Sequence, residues 1–227
     1  MKPKFGDQPL VPEETQKAES MLTDELREQS EEREEAYETL QPPRFIEKTG
    51  TMLFDIDPRL IYADKIREWA ETQGFKPKHE FHVTIVGYKN GKNLKILLSD
   101  LSPEERKERL AAIRRLIEET DWTLDGHPKL YHVTKEYEFE SKYTGEKQKE
   151  VRESIVQTMA LRHLNEFYQE LSRIVDPDQP GDPNLFPPQF PHLTLFTKGT
   201  DPNRARRGIG IDTEDDFKLL SPELIEV

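Results

Sequence analysis

Cysteine is absent from the 227-residue chain. Disulfides, zinc ribbons, Fe–S clusters and thiol nucleophiles are therefore excluded, and the absence fits a reducing compartment. Long apolar runs are also missing: none approaches the roughly 20 residues that a bilayer-spanning helix needs. The opening residues, MKPKFGDQPLVPEETQ, contain no apolar h-region and do not read as a secretory signal. Together these point to a soluble cytoplasmic protein with no membrane partner. Apolar residues are in short supply at 33%, against about 45–50% in ordinary globular chains. Charged residues reach 34% and mean hydropathy is -0.86. Part of the chain is thus expected as solvated helix or tail. The rest suffices for one large domain or two small fused lobes.

The formal net charge is -12, and much of it is local. Residues 11–40 hold eleven Asp/Glu against three Lys/Arg, a net -8, which leaves -4 for everything else. An acidic chain is poorly suited to gripping long nucleic acid, since that affinity comes mostly from neutralising phosphates. A small phosphorylated substrate remains compatible with it where basic residues cluster.

Residues 1–42 read as an acidic arm followed by a solvated helix over 13–40, whose apolar stripe (Ala18, Leu22, Leu26) is thin. That helix is either a solvated face or a docking element for a protein partner. Pro42-Pro43 separates it from a globular part, 43–227. There, Thr51–Ile56 reads as a strand. Asp57-Pro58 is a helix start and Gly74 its stop. Phe81–Val86 is a second strand, and Ser102-Pro103-Glu104-Glu105 a capping box opening a helix to about Thr120. Lys129–Glu140 and Val151–Met159 read as strands joined by a Thr144-Gly145-Glu146 turn. A helix follows with Leu161, Leu164, Tyr168, Leu171 and Val175 on one stripe. After a proline-rich loop, Phe190–Phe196 is another strand, with short strands expected near Phe217–Leu220 and Leu224–Val227. The expected class is α+β: bilobal, with two antiparallel sheets flanked by helices and a central cleft between the inner strands.

The chain has six histidines, and three of them sit in His-x-Thr: His82-Val83-Thr84, His132-Val133-Thr134 and His192-Leu193-Thr194. Chance alone would give fewer than one such match. Two continue as apolar strands, in HVTIVG and HLTLF. Side chains alternate along a strand, so His and Thr point to one face while Val83 or Leu193 anchors the other. An imidazole beside a hydroxyl suits phosphoryl chemistry. Neutral imidazole takes a proton from an attacking water and imidazolium gives one to a leaving oxygen. The threonine hydroxyl donates to a non-bridging phosphate oxygen. In-line displacement needs the two proton-transfer groups on opposite sides of phosphorus, which two such strands facing each other would supply.

FHVTIVG and PHLTLF resemble the paired H-x-T/S motifs of the 2H phosphoesterase superfamily, which includes the LigT-like RNA 2′,3′-cyclic phosphodiesterases, also called 2′-5′ RNA ligases. The resemblance spans roughly Thr51 to Val227. It implies a metal-free site with no cofactor, in which His82 and His192 act as acid and base while Thr84 and Thr194 bind phosphate. It implies opening of a 2′,3′-cyclic phosphate on a nucleotide or RNA end, and the reverse ligation as the same chemistry run backwards. Two departures bear on the substrate. Ligase-like members continue the first motif into an apolar-aromatic-Leu-Gly stretch, whereas this chain has Ile85-Val86-Gly87-Tyr88. An arginine often follows the second motif closely, whereas Thr197-Lys198 follows here.

Other residues are candidates for substrate contact. His132 lies on the middle hairpin, because only 60 residues separate it from His192, too few to place a helix-bearing lobe on each side. Tyr88, Tyr131 and Phe190 flank the motifs and are candidate stacking surfaces for a base. Lys198 and the Arg204, Arg206, Arg207 cluster are candidate phosphate attractors or else a solvated basic loop. His79 flanks the cleft, His163 sits on the last long helix, and His127 precedes Pro128 in a turn. Gly208-Ile209-Gly210 lacks the strand–glycine–helix context of a dinucleotide site. Two competing readings stand beside the phosphodiesterase. One is a binding module that captures a nucleotide or RNA end without turning it over. The other is a metallohydrolase using His79, His82 and His192 with carboxylates, for which no close i, i+4 His pair or H-E-x-x-H exists. A monomer is the expected state.

Overall fold

The computed structural model describes residues 27, 31–37, 39–140, 145–178, 185–200 and 208–226. Two compact units are distinguished, 1–39 and 40–227. In the first, residues 31–37 are helical, and Arg27 pairs with Glu31 one turn away (2.8 Å). Most of the expected helix over 13–40 lies outside the described residues.

The second unit is α+β, with two antiparallel sheets flanked by helices. The smaller sheet has the order β1 (Arg44–Ile46), β2 (Thr51–Asp55), β4 (His82–Val86). The larger has the order β3 (Lys76–Pro77), β7 (His192–Gly199), β6 (Lys147–Leu161), β5 (Leu124–Glu140), β8 (Glu223–Ile225). The helices are α1 (Ala63–Thr72), α2 (Tyr88–Ser99), α3 (Pro103–Glu119), α4 (Leu164–Val175) and α5 (Glu214–Leu219). β4 of one sheet lies against β7 of the other. An aromatic chain of Phe54, Trp122 and Phe167, with centroids 6.0 and 5.0 Å apart, runs from β2 to α4. A second apolar cluster, Val133, Val156, Ile209, Ile211 and Phe217, covers one face of the larger sheet.

Local signals explain most boundaries. The Ser102–Glu105 capping box is formed in both directions. The Asp57 side chain accepts from the Arg59 amide, but the turn it starts is a short 3-10 helix, Pro58–Leu60, and α1 begins only at Ala63. Gly74 ends α1 at φ +83, a conformation that costs glycine little. Gly145 has φ +68, as a hairpin turn requires, while Thr144 lies outside the described residues.

Four expectations differ from the structure. α2 follows β4 directly, although Lys89-Asn90-Gly91-Lys92-Asn93 is poor helix composition. Packing overrides propensity there: a Cβ on Gly91 would sit 2.7 Å from the Thr49 carbonyl oxygen, so backbone lies on backbone, and Leu94 and Leu98 are buried. The segment around Phe217 is helix rather than strand, because Thr213 and Asp216 form a second capping box. β6 runs on to Leu161, which delays α4 to Leu164, with His163 taking the left-handed turn at φ 60. His127 lies within β5 rather than in a turn.

Both motif strands carry a β-bulge at the same place. In β4, Thr84 pairs with Leu53 and Val86 with Met52, so Ile85 is the extra residue. In β7, Thr194 pairs with Val156 and Phe196 with Ile155, so Leu195 is the extra one.

Candidate functional site

The two motifs share one pattern of exposure. His82 and Thr84 are half-buried on either side of buried Val83, and His192 and Thr194 flank buried Leu193 in the same way. Period-two alternation therefore holds through His-x-Thr in both strands. It ends at the bulges, where Ile85-Val86 and Leu195-Phe196 are buried side by side. No hydrogen bond engages the Thr84 or Thr194 hydroxyl among the described residues. Gly208 closes over Thr194, since a Cβ there would come within 3.3 Å of the hydroxyl oxygen.

The two imidazoles are held differently. His192 donates Nδ1–H to the Phe190 carbonyl (2.9 Å), because a carbonyl oxygen can only accept. That leaves Nε2 as the free acceptor of the neutral ring. The Phe190 ring stacks on the imidazole, with centroids 5.9 Å apart. Burial pushes the His192 pKa down; the Phe190 hydrogen bond and the Asp212 charge oppose this, and charge on His82 adds to it. His82 is the register partner of Asp55 across β2–β4. Its ring makes no hydrogen bond among the described residues. Burial again lowers its pKa, while the Asp55 carboxylate works against the shift most strongly of its neighbours. Asp55 is itself gripped by Arg44 through two nitrogens, one at 2.9 Å, and its pKa is held below the usual carboxylate range by that bond. β4 lies against β7, and charge on His82 works against charge on His192.

A buried polar network joins the end of β4 to the entry of β7. The Gln189 side chain accepts from the Gly87 amide (2.9 Å) and donates to the Asp212 carbonyl (2.7 Å). A Cβ at Gly87 would lie 2.3 Å from the Gln189 side-chain oxygen and would displace it from this bond. The buried Tyr168 hydroxyl donates to the Ile85 carbonyl and accepts from the Gln189 amide (3.2 Å). Asn90 donates to the Pro187 carbonyl (2.9 Å). Sequence reasoning missed Gln189, Tyr168, Asn90, Asp55 and Asp212. No spacing marks them, because their partners lie far along the chain, 102 residues away for Gly87 and Gln189.

The remaining candidates fall into two groups. Tyr131 packs edge-on against Phe217 (5.2 Å), and Phe217 stacks on Phe190 (4.5 Å), which connects Tyr131 to His192 through aromatic contacts. Tyr88 is the first residue of α2 and is 76% exposed. His132 and Lys198 belong elsewhere. Both contact Glu153, at 3.0 and 3.1 Å, and Phe75 meets both the imidazole and the ammonium. His132 pairs in register with Ile155, three residues from the Thr158 that pairs with His192, so the two imidazoles project from opposite faces of the sheet. His79 is exposed ahead of β4, and His163 caps α4 4.0 Å from Asp121. Arg204, Arg206 and Arg207 lie outside the described residues. Among the described residues no group of three or more His, Asp or Glu converges in an arrangement that could hold a metal ion. Nor is any described helix long and apolar enough to cross a membrane.

No protein-family model matches the chain, and neither a curated protein nor a solved structure matches it.

Proposed function

We propose that the chain is a 2H-type phosphoesterase that opens 2′,3′-cyclic phosphates of nucleotides or RNA ends, with the two lobes forming a cleft around the reacting phosphate. One observation carries the reading. Two His-x-Thr strands share one alternation and one bulge position, and the strands that carry them lie against each other. His192 is the base, because its Nδ1 proton is committed to the Phe190 carbonyl and its Nε2 lone pair is free. Nε2 takes a proton from water as the water oxygen bonds to phosphorus. His82, beside the Asp55 carboxylate that favours its charged form, gives a proton to the 2′ or 3′ oxygen as the P–O bond breaks. Thr84 and Thr194 donate to the non-bridging oxygens where charge accumulates.

The test is a product assay on the four nucleoside 2′,3′-cyclic monophosphates and a short RNA ending in a cyclic phosphate, with EDTA throughout. The expected result is ring opening by wild type and by His132→Ala, and none by His82→Ala or His192→Ala. Normal turnover by either of the last two variants would overturn the reading. Saturable binding without product would make the chain a binding module instead.

A further inference from the structure

A groove of about 380 Å³ opens beside His192 on the larger sheet, lined by Phe190, Phe217, Tyr131, Thr158, Met159 and Lys129 among others. Two features tie it to the histidine. Phe190 stacks on both His192 and Phe217, so its ring forms the boundary between imidazole and groove. Thr158 pairs in register with His192, and Lys129 with Thr158, so one row of side chains crosses three strands. At the usual strand separation the row spans about 10 Å.

Three of the four charged groups that line the groove are held in ion pairs. Asp125 is held by two nitrogens of Arg162 (2.9 and 3.2 Å), and Glu214 by Lys218 (2.9 Å). Lys129 is exposed and has no ion pair among the described residues, and nothing there hydrogen-bonds the Tyr131 hydroxyl. An aromatic wall, a hydroxyl with no partner among the described residues and one unpaired ammonium match a flat ring that carries a phosphate.

We infer that this groove is a second subsite, binding the base and 5′-phosphate of the nucleotide whose cyclic phosphate lies at His192, with the ring beside Tyr131 and Phe190 and the 5′-phosphate at Lys129. Its adjacency to a reacting phosphate rests on the phosphodiesterase reading; its affinity for a nucleoside 5′-phosphate does not. The enzyme then prefers RNA ends or 5′-phosphorylated nucleotides over nucleosides bearing only the cyclic phosphate.

Equilibrium binding of AMP and of adenosine to the full chain tests the subsite without any chemistry. A charge-assisted contact predicts AMP binding about tenfold tighter than adenosine. Lys129→Ala should erase that preference, and Lys107→Ala, which removes an exposed charge on α3, should keep it. Equal binding of AMP and adenosine by wild type, or an unchanged preference in Lys129→Ala, overturns the proposal. Turnover of adenosine 2′,3′-cyclic phosphate with and without a 5′-phosphate separates the two ideas. Loss of the AMP preference in Lys129→Ala with no turnover of either substrate keeps the subsite and removes the phosphodiesterase. Turnover with no AMP preference removes only the subsite.

Discussion

His82 and His192 begin strands of the same sequence type, with the same alternation and the same bulge, yet their rings meet different surroundings. His192 is fixed by a backbone carbonyl and a stacked ring. His82 has no such bond among the described residues and sits opposite a carboxylate that Arg44 already grips. The tripeptide decides where an imidazole projects; the neighbouring chain decides which proton it carries. In the proposed reaction, a pair built this way is polarised before substrate arrives.

The largest expected effect comes from removing either ring. His82→Ala and His192→Ala should each lower kcat/KM by about 10²–10⁴, the usual range for a positioned proton-transfer group. A wild-type rate in one of them would break the pairing. Thr84→Val and Thr194→Val keep the side-chain shape and delete one donor each, so each should cost about 10²–10³ in kcat. A loss in one strand only would sharpen the contrast between the strands. Gln189→Ala leaves the Gly87 amide and the Asp212 carbonyl without their partner. Urea unfolding should show a loss of about 1–3 kcal/mol, with no loss expected for an exposed control.

The smallest effects are in pH. Burial lowers both histidines, so the kcat/KM bell should peak on the acid side of about 6.5, the ordinary histidine value. Asp55→Asn removes the charge that most favours protonated His82 and frees the Arg44 cation beside it. The alkaline limb should therefore move to lower pH while the acid limb, set by His192, stays. Stability follows the same sign. Between the depressed folded values and 6.5 the unfolded chain binds more protons, so stability rises with pH across that window. It is complete above about 6.5 and is lost as pH falls toward the folded values. Thermal melts on either side of that pH read the change, and a flat Tm would mean that the rings are not buried as described.

The readable parts of the fold were those with local causes. The Ser102 capping box, the Gly74 stop and the alternation through both His-x-Thr segments all depend on residues within a few positions. α2 was hidden because its helix is fixed by Gly91 lying on Gly50, some 40 residues away, rather than by its own composition. The strand expected near Phe217 failed because Thr213 and Asp216 outweigh three apolar neighbours. In the candidate site, the four motif residues were legible from spacing. Asp55 and Gln189 act across strand register and across chain distance, and a single sequence carries no mark of either. His132 matched the motif by letter and differs by register alone: its partner Ile155 puts it on the other side of the sheet.

The matched bulges also set a limit on counting along the chain. A strand is a wave of period two, and one inserted residue slips its phase by half a cycle. In β7 the count from His192 is valid as far as Thr194 and inverted after Leu195. Lys198, six places on, would share the histidine's face in an unbroken strand, and instead it meets Glu153 and Phe75 on the reverse. Ile85 interrupts the first motif at the same point. Each strand therefore delivers two polar groups to one surface and then turns the next two side chains inward. The reach of the motif is three residues because the backbone, not the side chains, ends it there.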